Sequence, residues 1–240
     1  MIHLEPIAIT SATSTAGGDA TYPASNLLLD PAETYARSTA AATTWAISVV
    51  LTGPVSSLCV LGVVADSLTL TVGGSAPAGL AEETIDDPIT IGRTSYWWTF
   101  DELTGAQTFV LTFTRDLADP VARAGVVRAG KIYDTDGVLY PLDEGVDDPT
   151  VVLQMADGSL YHGPQLRTVR TFGVTVRASK TDIATLCDSC RRTGGRTTMF
   201  HLAPEWGDRY FVYGRLAAQP QASHAWPTVS TASLAVREVV

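Results

Sequence analysis

The chain is poor in the residues that most chemistry needs. Its 240 residues include three cysteines, three methionines and four histidines. Three cysteines do not make a disulfide framework, which fits a chain made and folded in a reducing cytoplasm. The histidines (His3, His162, His201 and His224) are scattered, with no partner spacing. There is no G-x-S-x-G, no H-E-x-x-H, no phosphate loop and no dinucleotide fingerprint. Gly73-Gly74 and Gly194-Gly195 read as ordinary turns. No catalytic residue is assigned, and the expectation is a protein that is not an enzyme and carries no cofactor. Charge is scarce as well, at 17% of residues, with a net of −9. Residues 1–130 hold 13 acids and 5 bases, and residues 131–240 hold 12 acids and 11 bases. Neither part has a basic stripe, so nucleic-acid binding is not expected. The longest apolar run, Leu58–Ala65, is too short to span a bilayer, and Met1–Glu5 lacks the basic and apolar regions of a signal peptide.

What the chain does have is apolar residues, 45% of the total, and short β patterns. Low charge with a mean hydropathy of +0.14 suits a chain that hides surface against neighbours. Ile2–Ile9 reads as a short extended piece, followed by a small-residue loop ending in Gly17-Gly18. Tyr22–Leu29 reads as a turn into a buried segment, and Ala36–Thr44 as a loose surface stretch. Trp45, Ile47, Val49 and Leu51 then alternate, as do Leu68–Val72 and Phe109, Leu111 and Phe113, the two-residue period of half-buried strands. Leu58–Val64 is apolar on both faces and reads as a central strand. Short strands separated by Gly, Pro and Asp turns predict a β-sandwich of the jelly-roll kind over residues 1–130.

Residues 131–240 predict a smaller α+β domain, an antiparallel sheet carrying one helix. Strands are expected near Val151–Met155, Thr171–Arg177, Thr197–Leu202, Tyr210–Leu216 and Ser233–Val239. Within this part, Ile183, Leu186, Cys187 and Cys190 fall at i, i+3, i+4 and i+7, which lines one face of a helix near 180–193. Ser179 suits its N-cap, Asp182 the positive end of its dipole, and Gly194-Gly195 a left-handed exit. A helix of this length is marginal alone in water and needs the sheet beneath it. Four apolar side chains at roughly 1.5–3 kcal/mol each would hold it there.

Three stretches are candidates for chemistry. Cys187-Asp-Ser-Cys190 has the spacing of a metal pair, but a metal or iron–sulfur site needs about four ligands and only Cys59 and His201 could add to it. Both cysteines lie on the apolar helix face, where a free thiol serves as a small core group. Asp86-Asp87-Pro88, with Glu82 and Glu83, and Asp147-Asp148-Pro149, within a loop over Leu142–Pro149, gather carboxylates of the kind calcium uses. Proline disfavours helix before it, so both read as extended, solvated loops. Tyr96-Trp97-Trp98 places neighbours on opposite faces of a strand, so one indole should be buried. The other should be exposed, covered by a partner or stacked on a sugar ring.

Two patterns together resemble known proteins. Tyr22-Pro-Ala-Ser-Asn26-Leu-Leu, Asp30-Pro31 and Trp45-Ala-Ile47-Ser-Val49-Val-Leu51 resemble the opening of discoidin-like (galactose-binding-like) jelly rolls. Val126–Tyr133 looks like the segment that closes such a domain in bacteriophage tail proteins. The second part resembles the distal-tail and minor-tail families of long-tailed phages. The matching pieces are Arg170-Thr-Phe172, the Ser179–Gly195 helix, Met199–Pro204, Tyr213–Leu216 and the closing Ser233–Val239. This resemblance implies a structural component of the tail tip or baseplate, resident in the virion after synthesis in the host cytoplasm. It implies an oligomeric ring that extends the tail tube, built from copies of this chain with other tail proteins, and a peripheral β-sandwich. Some relatives of this kind hold an iron–sulfur cluster on four cysteines; with three here, the cluster is not carried over. The alternative is a carbohydrate-binding module that recognises a host-surface glycan, with Tyr96, Trp97 and Trp98 as the contacts.

Overall fold

A computed structural model describes the chain apart from residues 30–34, 87–93, 119–120, 136–137, 148–151, 155–159, 163–168, 205–207, 225–228 and 240. The described residues are mostly antiparallel strand, with one α-helix. The strands run β1 (Ile2–Pro6), β2 (Ile9–Ala16), β3 (Ala36–Arg37), β4 (Thr44–Thr52), β5 (Val55–Val63) and β6 (Ser67–Val72). Next come β7 (Ala81–Asp86), β8 (Thr94–Leu103), β9 (Ala106–Thr114), β10 (Arg123–Ala124) and β11 (Val126–Asp134). After these lie β12 (Val138–Asp147), β13 (Val152–Gln154), β14 (Leu160–His162), β15 (Val169–Ser179) and the helix α1 (Lys180–Thr193). The chain closes with β16 (Thr198–His201), β17 (Phe211–Leu216), β18 (Gln221–Ser223) and β19 (Val229–Glu238).

The chain divides into two compact units. The first is Met1–Asp134 with Thr198–Val212, and the second is Thr135–Thr197 with Tyr213–Val240. The crossing at residue 134 lies close to the expected boundary at 130. The return of Thr198–Val212 to the first unit was not legible, because β16 finds its partner in β1, at the far end of the sequence. The Thr198 hydroxyl donates to the Leu4 carbonyl and ties the returning segment down.

The first unit is a β-sandwich. One sheet has the order β7-β8-β5-β11-β1-β16 and the other β2-β4-β9-β6. Alternation supplies the layer between them: Trp45, Ile47, Val49 and Leu51 from β4 meet Leu58 and Val60 from β5, Trp98 and Phe100 from β8, and Phe109, Leu111 and Phe113 from β9. Gly130 is required where β11 passes β1, since a Cβ there would sit 1.9 Å from the Glu5 carbonyl oxygen.

Three expected loops are strands. Ile9–Ala16 pairs with β4 although it shows no apolar alternation, because only Ala12 of its small polar run is buried. Ala81–Asp86 pairs with β8, so Glu82 and Glu83 lie on an edge strand, and Leu142–Asp147 lies in β12, paired with β15. Charged side chains on edge strands blunt unwanted pairing and mimic a loop in sequence. Asp87-Pro88 and Asp148-Pro149 fall outside the described residues.

The second unit has β12, β15 and β19 side by side, with β18 and the end of β17 against β19, and α1 in contact with β15 and β19. Ser179 caps α1: its hydroxyl accepts from the Asp182 backbone N–H at 3.1 Å and donates to the Asp182 carboxylate at 2.6 Å. Gly194, at φ +59°, ends the helix and returns its N–H to the Cys190 carbonyl at 3.0 Å.

Candidate functional site

Alternation on β8 carries Trp97 and Trp98 to opposite faces, as expected, but both are buried, at 2% and 0% exposure. Trp98 enters the sandwich core and donates its Nε1–H to Glu82 Oε2 at 2.7 Å. Tyr96 stacks on it at 5.5 Å. Trp97 meets the edge of Phe211 at 5.4 Å and donates to Ser57 Oγ at 2.6 Å; that hydroxyl in turn donates to the Trp98 carbonyl at 2.8 Å. The expectation that one indole is exposed, covered by a partner or stacked on a sugar is therefore corrected. The cover comes from the chain's own segment, and neither Trp97 nor Trp98 has a face left for a sugar ring or a second subunit.

Beside Phe211, His201 is buried with Nδ1 3.6 Å from Glu83 Oε1. His3, on β1, stacks on Phe200 at 5.0 Å and on Tyr133 at 6.5 Å. Burial lowers the His3 imidazole to about 4, against the pull of nearby Glu5 in the other direction. Such a ring stays neutral at pH 7 and packs as an aromatic. Cys59, fully buried on β5, has its thiol pushed up by the same cause.

In the second unit, Cys187 and Cys190 lie buried on the helix face that also carries Ile183 and Leu186. Burial raises the Cys187 thiol. No group of three or more potential metal ligands occurs among the described residues. Half-buried Arg170 holds the buried Glu238 through two side-chain bonds, Nη2 to Oε1 at 2.6 Å and Nε to Oε2 at 3.0 Å. A forked pair of this kind fixes geometry as well as charge. It locks the start of β15 to the end of β19.

Sequence reading missed the exposed side of this unit. On β12, Val146 is 67% exposed and Leu139 37% exposed, and among the described residues no strand pairs with the free side of β12. The signal was the apolar Val138-Leu139-Tyr140 run, masked by the acids that follow. The sheet side shared by Thr175 and Ser233, whose hydroxyls lie 3.3 Å apart, is small and polar. No described helix is long and apolar enough to cross a membrane.

No family model matches the chain, and no curated protein matches it. One solved structure, described as reduced XRCC1 bound to the catalytic domain of DNA polymerase β, aligns with 53% of this chain and 97% of that chain. Its identity is 17% and its TM-score 0.36, a likeness that carries no argument about function.

Proposed function

We propose that the protein is a structural component of a bacteriophage tail tip or baseplate, one subunit of an oligomeric ring that continues the tail tube. In this reading the second unit builds the ring, the β-sandwich is carried at its periphery, and the partners are copies of the chain and other tail proteins of the virion. The supporting observation is β12: among the described residues it has no strand on its outer side, and it bears exposed Leu139 and Val146. An edge of that kind invites pairing with another chain unless something covers it, and a repeating head-to-tail contact makes a ring when its rotation closes. Low charge density supports the same reading. The carbohydrate-binding alternative loses its aromatic platform, since Tyr96, Trp97 and Trp98 are buried.

The test is the mass of the purified protein by light scattering, with negative-stain images, for wild type and a Leu139→Asp, Val146→Asp variant. Ring-like oligomers in the wild type and smaller species in the variant, at an unchanged melting temperature, are expected. A wild type that stays monomeric at high concentration overturns the reading.

A further inference from the structure

The first unit brings two arginines together across a short strand pair. Arg37 on β3 and Arg123 on β10 are direct cross-strand partners. Like charges placed opposite one another destabilise a sheet, and residues 1–130 contain only five basic side chains to spend on this arrangement. Two tyrosines separate the guanidinium groups. Arg37 lies 4.0 Å from the Tyr22 ring centre, Tyr22 stacks on Tyr35 at 4.9 Å with the planes 10° apart, and Arg123 lies 5.3 Å from the Tyr35 ring centre. The order is cation, ring, ring, cation.

One of the two charges is neutralised within the fold. Arg37 Nε donates to Asp19 Oδ2 at 2.8 Å, and the Thr21 backbone N–H donates to Asp19 Oδ1 at 2.8 Å. These bonds, the Thr21 one first, hold the Asp19 carboxyl below its ordinary range. Arg123 has no ion pair among the described residues; its Nε is buried without an acceptor, which leaves hydrogen bonding to the two terminal nitrogens. The stack also occupies the ring faces: Tyr22 is covered by Arg37 and Tyr35, and Tyr35 by Tyr22 and Arg123. A neutral sugar therefore has no ring to lie on. Among the described residues, what the site offers is a guanidinium without a carboxylate partner, held against an aromatic face with phenolic groups beside it.

We propose that the Arg37–Tyr22–Tyr35–Arg123 stack is an oxyanion-binding position, in which Arg123 takes one carboxylate or phosphate group of a ligand. Guanidinium presents parallel N–H donors that match either group, and stacking on Tyr35 fixes their direction before the ligand arrives. The assignment stands whether or not the chain assembles into a ring.

Titration calorimetry of the full chain with inorganic phosphate, glucuronate and galactose, in low salt at matched ionic strength, tests it. Wild type should bind phosphate or glucuronate and leave galactose unbound. Arg123→Gln should weaken that binding by about tenfold or more, the loss of one hydrogen-bonded charge contact. Should Arg123→Gln not fold, Arg123→Lys keeps the charge without the fork and should bind more weakly than wild type. Binding of phosphate alone assigns a phosphate-bearing ligand, and binding of glucuronate alone an acidic sugar. Failure of both probes, or equal binding by wild type and a folded Arg123 variant, overturns the proposal.

Discussion

In the first unit β8 is covered on both faces, Trp98 by the opposite sheet and Trp97 by Phe211 of the returning segment. In the second unit β15 buries Phe172, Val174 and Val176 on one face, and the face carrying Thr171, Thr175 and Gly173 stays half-open. The first unit thus binds the Trp97 indole internally, through Ser57, and carries the Arg37–Arg123 pair on two short strands outside that core. Among the described residues the second unit has one helix, no strand on the outer side of β12, and a polar sheet face around Thr175 and Ser233. A closed sandwich has little left to offer a packing partner, whereas a sheet with a single helix still has capacity to pair.

The largest expected effect separates the units directly. Leu186→Asp puts a charge where α1 meets the sheet, at a side chain 1% exposed, and should cost more than about 4 kcal/mol. Limited proteolysis should then cut the second unit while the tryptophan emission of the first persists. An unchanged melting profile would remove α1 from the core.

The second effect belongs to the first unit alone. The His3 imidazole is lowered in the folded state, so above its unfolded value both states are neutral and pH has no effect through this group. As pH falls through about 6.5 the unfolded chain takes up a proton that the folded chain refuses, and stability drops until about 4. The loss approaches roughly 3 kcal/mol. Urea melts followed by tryptophan fluorescence at several pH values should show this slope in the wild type and a flatter one in His3→Phe. Equal slopes would mean that His3 does not carry it.

The smallest effect concerns the thiols. Cys187→Ser with Cys190→Ser should cost about 1–2 kcal/mol, the price of placing hydroxyls at buried apolar positions. Visible absorbance of the wild type that disappears in the double variant would instead assign these sulfurs to a metal.

What could be read from the sequence was local. The helix of residues 180–193 declares itself within one stretch, because its cap, its apolar face and its glycine exit all act over a few residues. Leu68–Val72 and Phe109–Phe113 alternate because each has one face in the core. Ile9–Ala16, Ala81–Asp86 and Leu142–Asp147 gave no such sign, since edge strands carry small or acidic side chains into water. The fate of Trp97 was hidden for another reason: Phe211, which covers it, lies more than a hundred positions further along the chain.

By itself, then, the amino-acid order determined the class of the protein, a mainly β chain with one amphipathic helix, because periodicity and capping are properties of neighbouring residues. Tertiary structure decided which indoles are covered, that Thr198–Val212 belongs with the first unit, and that Arg37 faces Arg123 across two stacked rings. Those outcomes depend on strand partners far apart in the chain, and pairing over such distances is selected by the packing of the whole unit rather than by any local pattern.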